Sequence, residues 1–162
     1  MNIYHKLIDR LIRTDIGGWL ILHLFSPLDK RLMRWTNGIV NSSLGTNFHD
    51  NAVLLRCTGA KSGQSRTIPL VTTLLDGHFV LVASAVGQVK NPAWYYNLKS
   101  NPNCSLLVAN RGEIACVAHE AEGAERALAW AAANEQFSGY TVYQGKTKRR
   151  IPVMVLTPVA PV

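Results

Sequence analysis

The stretch TIPLVTTLLDGHFVLVASA, residues 67–85, decides the fold. Its first half is apolar and β-branched, the composition of a half-buried strand. Asp76-Gly77 follows, a dipeptide suited to the two left-handed positions of a tight hairpin turn. HFVLVASA then returns as the partner strand. Two strands joined by so short a link must run antiparallel.

Working outward, AVLLRC (52–57) reads as a short buried strand that enters TIPLVTTLL through a basic glycine turn. CSLLVA (104–109) and EIACVAHEA (113–121) form another hairpin around Asn110-Arg111-Gly112, and IPVMVLTPV (151–159) is a last strand. This makes six short strands, mostly antiparallel, in a chain of 162 residues. Such a set favours a barrel or half-open barrel over a doubly wound sheet. The absence of a βαβ unit and of a G-x-G-x-x-G run disfavours a Rossmann dinucleotide site.

Two further segments are helical. NPAWYYNLKSNP (91–102) has Asn91 as cap, Pro92 at the first position and Asn101-Pro102 as stop. GAERALAWAAANEQF (123–137) is alanine-rich. The first 50 residues differ from the rest. IYHKLIDRLIR (3–13) places Ile3, Leu7, Ile8, Leu11 and Ile12 at helical spacing, and SPLDKRLMRWTNGIV (26–40) reads as a helix capped by Ser26. The expected organisation is α+β: an amphipathic helical leader over 1–50 and a barrel domain over 51–162.

With a formal charge of +7, the chain suits an anionic partner: a nucleic acid, a membrane face or a small molecule. It shows no RNP-like or helix-turn-helix pattern, so nucleic acid is not expected. Cys57, Cys104 and Cys116 form no CxxC pair and sit in strand-like runs, as buried thiols in a reducing cytoplasm would. No His/Cys spacing supports a metal. The apolar stretch IGGWLILHLF (16–25) is too short to span a bilayer, and no secretory signal pattern is present.

Three stretches carry candidate chemistry. In CTGAKSGQSRTIPL (57–70), Lys61, Ser62, Gly63 and Arg66 lie on the link between two apolar strands. They suit a phosphate or carboxylate, helped by amides around Gly59 and Gly63, or they simply keep a turn soluble. In ASAVGQVKNPAWYYNL (83–98), a strand ends at Ser84 and a helix begins near Pro92. Trp94, Tyr95 and Tyr96 either pack in the core or offer an edge to a flat ring. In FSGYTVYQGKTKRR (137–150), Phe137, Tyr140 and Tyr143 share one side of a helical turn. A phenol in a pocket can donate to a reacting oxygen. Lys146, Lys148, Arg149 and Arg150 read as a solvated charge cluster or a draw for an anionic partner.

Taken together, G-x-KSG-x-x-R-x-x-P-L, NPAWY-x-NL and the tyrosine segment resemble the deazaflavin-dependent nitroreductase family, over roughly residues 50–158. The resemblance implies a split β-barrel that binds reduced coenzyme F-420, an 8-hydroxy-5-deazaflavin with an anionic phospholactyl-oligoglutamate tail; FMN is the less favoured cofactor. It implies that Lys61, Ser62, Gly63 and Arg66 hold the tail and that Pro69, Ser84, Trp94 and Asn97 lie beside the cofactor. Ser84, Tyr140 and Tyr143 would orient the acceptor or supply a proton. Ala60 and Ala85 stand where relatives often carry a cation, and Phe137 where a relative has tyrosine; Lys90 is then a candidate to compensate. The expected activity is hydride transfer to a quinone, enone or nitroaromatic, with a non-catalytic carrier of a lipid or flavin-type cofactor as the alternative. Family likeness, with the apolar and basic residues of 3–35, points to peripheral contact with the inner face of the plasma membrane; the competing reading is a helix that covers one open end of the barrel.

Overall fold

The computed structural model describes residues 51–159, so the helical leader expected over 1–50 lies outside them. Asp76 and Gly77 have φ of 48° and 83° and close the expected hairpin, with Leu75 opposite His78. Seven strands are present: β1 (Ala52–Thr58), β2 (Ser65–Val71), β3 (Thr73–Leu75), β4 (His78–Val82), β5 (Asn103–Val108), β6 (Gly112–Glu120) and β7 (Val153–Pro158). They form one sheet in the order β2-β1-β5-β6-β7-β4-β3, and every neighbouring pair is antiparallel.

The expected count of six strands is corrected at Thr72. TIPLVTTLL runs on without a turn, yet its first part pairs with β1 and its last part with β4. Thr72 makes the hand-over: its N–H donates to Asn51 O at 2.9 Å and its hydroxyl to Val80 O at 3.1 Å. Its carbonyl accepts from Gln136 Nε2 at 3.0 Å. β2 and β3 are opposite edges of the sheet, but a single residue separates them. The sheet has therefore curled until its edges meet along this run. Thr72→Val keeps the shape and removes the donor to Val80, so a loss of about 1 kcal/mol in urea unfolding is expected. An unchanged midpoint would show that the hydroxyl does not secure the closure.

Alternation along the strands sorts the core. Val53, Leu55, Cys57, Phe79, Leu81, Ala83, Leu106, Cys116, Met154 and Leu156 face one interior. Trp94 and Leu98 of α1 (Ala93–Ser100) fill it. On the other face, Val80, Val153 and Val155 pack against Ala121 and Ala129, the latter in α2 (Gly123–Gln136). Val82 and Ile151 pack against Ala133, Phe137 and Tyr143. β4 and β7 are thus covered on both faces, which is why HFVLV and VMVL read as unbroken apolar runs. Each fully buried Leu or Met contributes roughly 1.5–3 kcal/mol relative to exposure.

A third helix, α3 (Gly139–Gly145), adds to the two expected after the leader. It is short and bounded by glycines, so propensity alone does not announce it; neighbours hold it. Asn134 Oδ1 accepts from the Thr141 N–H at 3.0 Å and hydroxyl at 2.7 Å. Gln144 Nε2 donates to Arg149 O at 2.8 Å, and its Oε1 accepts from Ile151 N at 2.9 Å. Asn91 does not cap α1, whose N-cap position is Pro92.

Direction matters for the site. Four antiparallel steps separate β1 from β4, so the two strands point the same way. The turn after β1 and the loop after β4 therefore share one end of the sheet. α1 lies at that end too, tied to the end of β6 by Tyr95 Oη to Glu120 at 2.9 Å and by Lys99 to Glu120 at 3.0 Å.

Candidate active site

The β1–β2 turn is exposed and internally organised. The Gly59 N–H donates to Gln64 O and the Gly63 N–H to Gly59 O, both at 2.8 Å. The Ala60 N–H donates to Asn97 Oδ1 at 3.0 Å. Ser62 Oγ accepts from the Gln64 N–H and from Arg66 Nη2, each at 3.3 Å. The amides of Gly59, Gly63 and Gln64 are thus engaged inside the turn and that of Ala60 on Asn97, which leaves these four unavailable as ligand donors. A side chain at Gly59 would meet Ser62 Oγ at 2.8 Å and Gln64 O at 3.3 Å, so it would turn the Ser62 hydroxyl away from Arg66. The cations survive as candidates. Lys61 and Arg66 are exposed and have no acidic partner among the described residues. Asn97 holds this turn against α1, and its Nδ2 also reaches Cys57 Sγ at 3.7 Å.

The loop after β4 is unusual. Ser84 is right-handed, and Ala85, Val86 and Gly87 follow with φ of 45°, 57° and 82°. A β-branched residue at positive φ is strained by about 1–3 kcal/mol and persists only where its surroundings over-determine it. Arg149 supplies much of that constraint. Its Nη2 donates to Ala83 O at 3.1 Å and Ser84 O at 2.7 Å, and its Nε to Gln88 O at 2.8 Å. Burial lowers its pKa, and Tyr96 nearby raises it. Arg149 was expected in a solvated charge cluster; it is a loop clamp instead, and only the fold reveals it. At Gly87 a Cβ would meet Tyr143 O and Lys146 Cβ at 2.9 Å, so this loop lies directly on the end of α3.

The three aromatics of the last segment come together as expected. Phe137 and Tyr140 rings lie 5.2 Å apart edge to face, and Tyr140 and Tyr143 lie 6.5 Å apart. A side chain at Gly139 would occupy the space of the Phe137 ring. Tyr143 is buried, while Tyr140 keeps part of its surface accessible. Tyr140 and Val86 each pack against the cluster of Val82, Ala133, Phe137, Tyr143 and Ile151, and α3, which carries Tyr140, meets the Ser84 loop at Gly87. Its phenol has no hydrogen-bond partner among the described residues. Desolvation, then the neighbouring Tyr143, pushes its pKa well above the usual phenol range.

Among the other expected site residues, Pro69 stands half-buried in β2 opposite Leu54. Trp94 is 6 % exposed and packs in the barrel interior, leaving Tyr96 as the exposed aromatic of α1. The three cysteines are free thiols, and desolvation raises all three pKa values, so none is a ready nucleophile. A separate cavity of about 280 Å³, lined in part by Glu120, Glu122, Arg126 and Arg150, contains none of the expected site residues.

The profile of the F420H(2)-dependent quinone reductase family matches residues 29–158, which include the turn, the loop, α1 and α3. The chain belongs to the F420H(2)-dependent quinone reductase family. An F420H(2)-dependent quinone reductase from Mycobacterium tuberculosis is 34% identical over 148 residues, covering 88% of this chain and 98% of that protein. Among solved structures, an F420-H2 dependent reductase, FDR-A, is 40% identical with a TM-score of 0.61, covering 65% of this chain and 93% of that one. The heme storage protein HutZ from Vibrio cholerae shares the fold at 13% identity and a TM-score of 0.53, over 71% of this chain and 86% of its own. Within the quinone reductase family, the Ser84 loop of this chain carries Ala85 at its first left-handed position.

Proposed function

We propose that this quinone reductase family member transfers a hydride from reduced coenzyme F-420 to a quinone, using groups gathered at one end of its curled sheet. One observation carries the reading: two cations without acidic partners among the described residues stand at the same end of the sheet as the Ser84 loop, on which α3 with Tyr140 lies. The donor set fits the cofactor. A tail of phosphate and carboxylates needs positive charge at an open surface, and the turn supplies it. The ring needs a partly apolar wall with a few hydrogen-bond donors, which the loop and α3 supply. When bound, the reduced deazaflavin supplies the hydride.

The chain's own residues then bind, orient and donate. Lys61 and Arg66 grip the tail, while Ser62 steers the Arg66 guanidinium. Asn97 keeps the turn seated on α1, Pro69 shapes the wall beside the ring, and Trp94 backs that wall from the barrel interior. Tyr140 and Ser84 donate hydrogen bonds to the acceptor oxygen, and Tyr143 supports Tyr140 from beneath. Enones and nitroaromatics are further acceptors, because they too gather negative charge on oxygen. The test mixes purified protein with reduced coenzyme F-420 and menadione and follows deazaflavin absorbance, with FMN as control. Quinone-dependent oxidation is expected. Tight binding without oxidation would make the barrel a carrier and reject the enzyme reading.

Peripheral membrane contact through residues 3–35 rests on the family resemblance and on sequence pattern: apolar positions at helical spacing among lysines and arginines. The chain should sediment with anionic phospholipid vesicles at low salt. Equal recovery with uncharged vesicles, or none with either, argues against this contact. Among the described residues no helix is long and apolar enough to cross a membrane.

A further inference from the structure

The loop after β4 has one feature that the function above leaves unused. Ser84 is right-handed (φ −68°, ψ −39°) and Ala85 left-handed (φ 45°). A right-handed residue followed by a left-handed one turns successive N–H groups toward one side, the arrangement called a nest, which suits an anionic oxygen. The Ser84 N–H is engaged with Val82 O at 2.8 Å, and the next two are not. Among the described residues, neither the Ala85 nor the Val86 N–H makes a hydrogen bond. The loop's later amides are used internally, Gly87 N to Ser84 O at 2.9 Å and Gln88 N to Ala85 O at 3.0 Å.

The opposite polarity of this loop is held by one side chain. Carbonyls of Ala83, Ser84 and Gln88 all accept from Arg149. Arg149 has no acidic partner among the described residues; its Nε and Nη2 are spent on carbonyl dipoles, and its buried Nη1 makes no hydrogen bond among those residues. A planar guanidinium can serve three carbonyls in a fixed fork; a lysine ammonium on a flexible stem cannot hold the same set.

We propose that Arg149 is a positioning residue that holds the 84–88 loop so that the Ala85 and Val86 amides receive an anionic oxygen of the bound deazaflavin or of the acceptor. The inference rests on the quinone reductase reading. A quinone that takes a hydride, two electrons with one proton, becomes a hydroquinone monoanion, which then gains a proton from water. Two preset amides stabilise such a charge at no cost in reorganisation.

The test pairs nuclear magnetic resonance with kinetics. In the wild type, the Ala85 and Val86 amide signals should move when oxidised coenzyme F-420 is added, which assigns the oxygen to the cofactor. Movement only after menadiol is added assigns it to the acceptor. In Arg149→Met, hydrogen exchange at Gly87 and Gln88 should speed up about tenfold or more as the clamp is lost. If the titration assigns the oxygen to the acceptor, its kcat should fall about tenfold or more with the Kd for coenzyme F-420 within about threefold; if it assigns the oxygen to the cofactor, that Kd should rise about tenfold. Arg149→Lys should resemble Arg149→Met. Full rescue by lysine would mean that charge alone matters, and unchanged exchange and kcat would mean that the clamp does nothing; either overturns the proposal. If Arg149→Met fails to fold, the wild-type titration decides, because still Ala85 and Val86 signals with both ligands also overturn it. A wild type that binds coenzyme F-420 but never passes hydride to menadione counts against the enzyme reading, and the amide titration still judges the loop.

Discussion

Replacing both Lys61 and Arg66 by alanine is expected to weaken binding of coenzyme F-420 by about a hundredfold at low salt, near tenfold for each charge-assisted contact. Both side chains are exposed, and neither has an acidic partner among the described residues. The free protein loses little when they go, so the effect should fall on binding and leave the unfolding midpoint nearly unchanged. Raising salt toward 1 M shortens the Debye length to about 3 Å and should shrink the gap between wild type and variant. Arg66 also donates to Ser62 at 3.3 Å, within one small turn, so the two losses need not add. Fluorescence titration with coenzyme F-420 at two salt concentrations measures both quantities. Equal affinity of the two proteins at low salt would remove the turn from the site.

Tyr140→Phe is expected to lower kcat with menadione by about 100- to 1000-fold, the range for losing one preset donor to a developing oxyanion. KM should move less, because the bond strengthens as charge develops. Tyr143→Phe should cost less, because Tyr143 is buried whereas Tyr140 is partly accessible. The pH profile offers a second check. Tyr140 has a raised pKa because burial disfavours the phenolate. The protonated donor therefore persists as pH rises, and no loss of kcat from this group is expected below about pH 10. A fall beginning near pH 8 in the wild type and absent from Tyr140→Phe would contradict that assignment.

Much of this fold is legible locally. Asp76-Gly77 and Asn110-Arg111-Gly112 announce two hairpins, and Gly77 and Gly112 do adopt positive φ. Alternation and apolar runs mark the strands, and alanine content marks α2. The strand count was not legible at Thr72. A strand that changes partners keeps the same extended backbone and the same residue preferences, so nothing local marks the hand-over. α3 was half legible. Its aromatic spacing is visible, but its formation depends on Asn134 and Gln144 reaching across from or to other segments.

The site divides along the same line. By itself the sequence determined which groups were on offer: two cations on a hairpin turn, a serine at a strand end and tyrosines three residues apart. These are properties of residue type and spacing, which local chemistry sets. Tertiary structure decided how they are used. It spent the amides of Gly59 and Gly63 inside the turn, buried Trp94 in the barrel and turned Arg149 from a presumed surface charge into the clamp of the Ser84 loop. It also brought the turn after β1 and the loop after β4 to one end of the sheet, through four antiparallel steps. Hydrogen bonds between segments far apart in the chain depend on where the curled sheet returns them, and no local pattern carries that information.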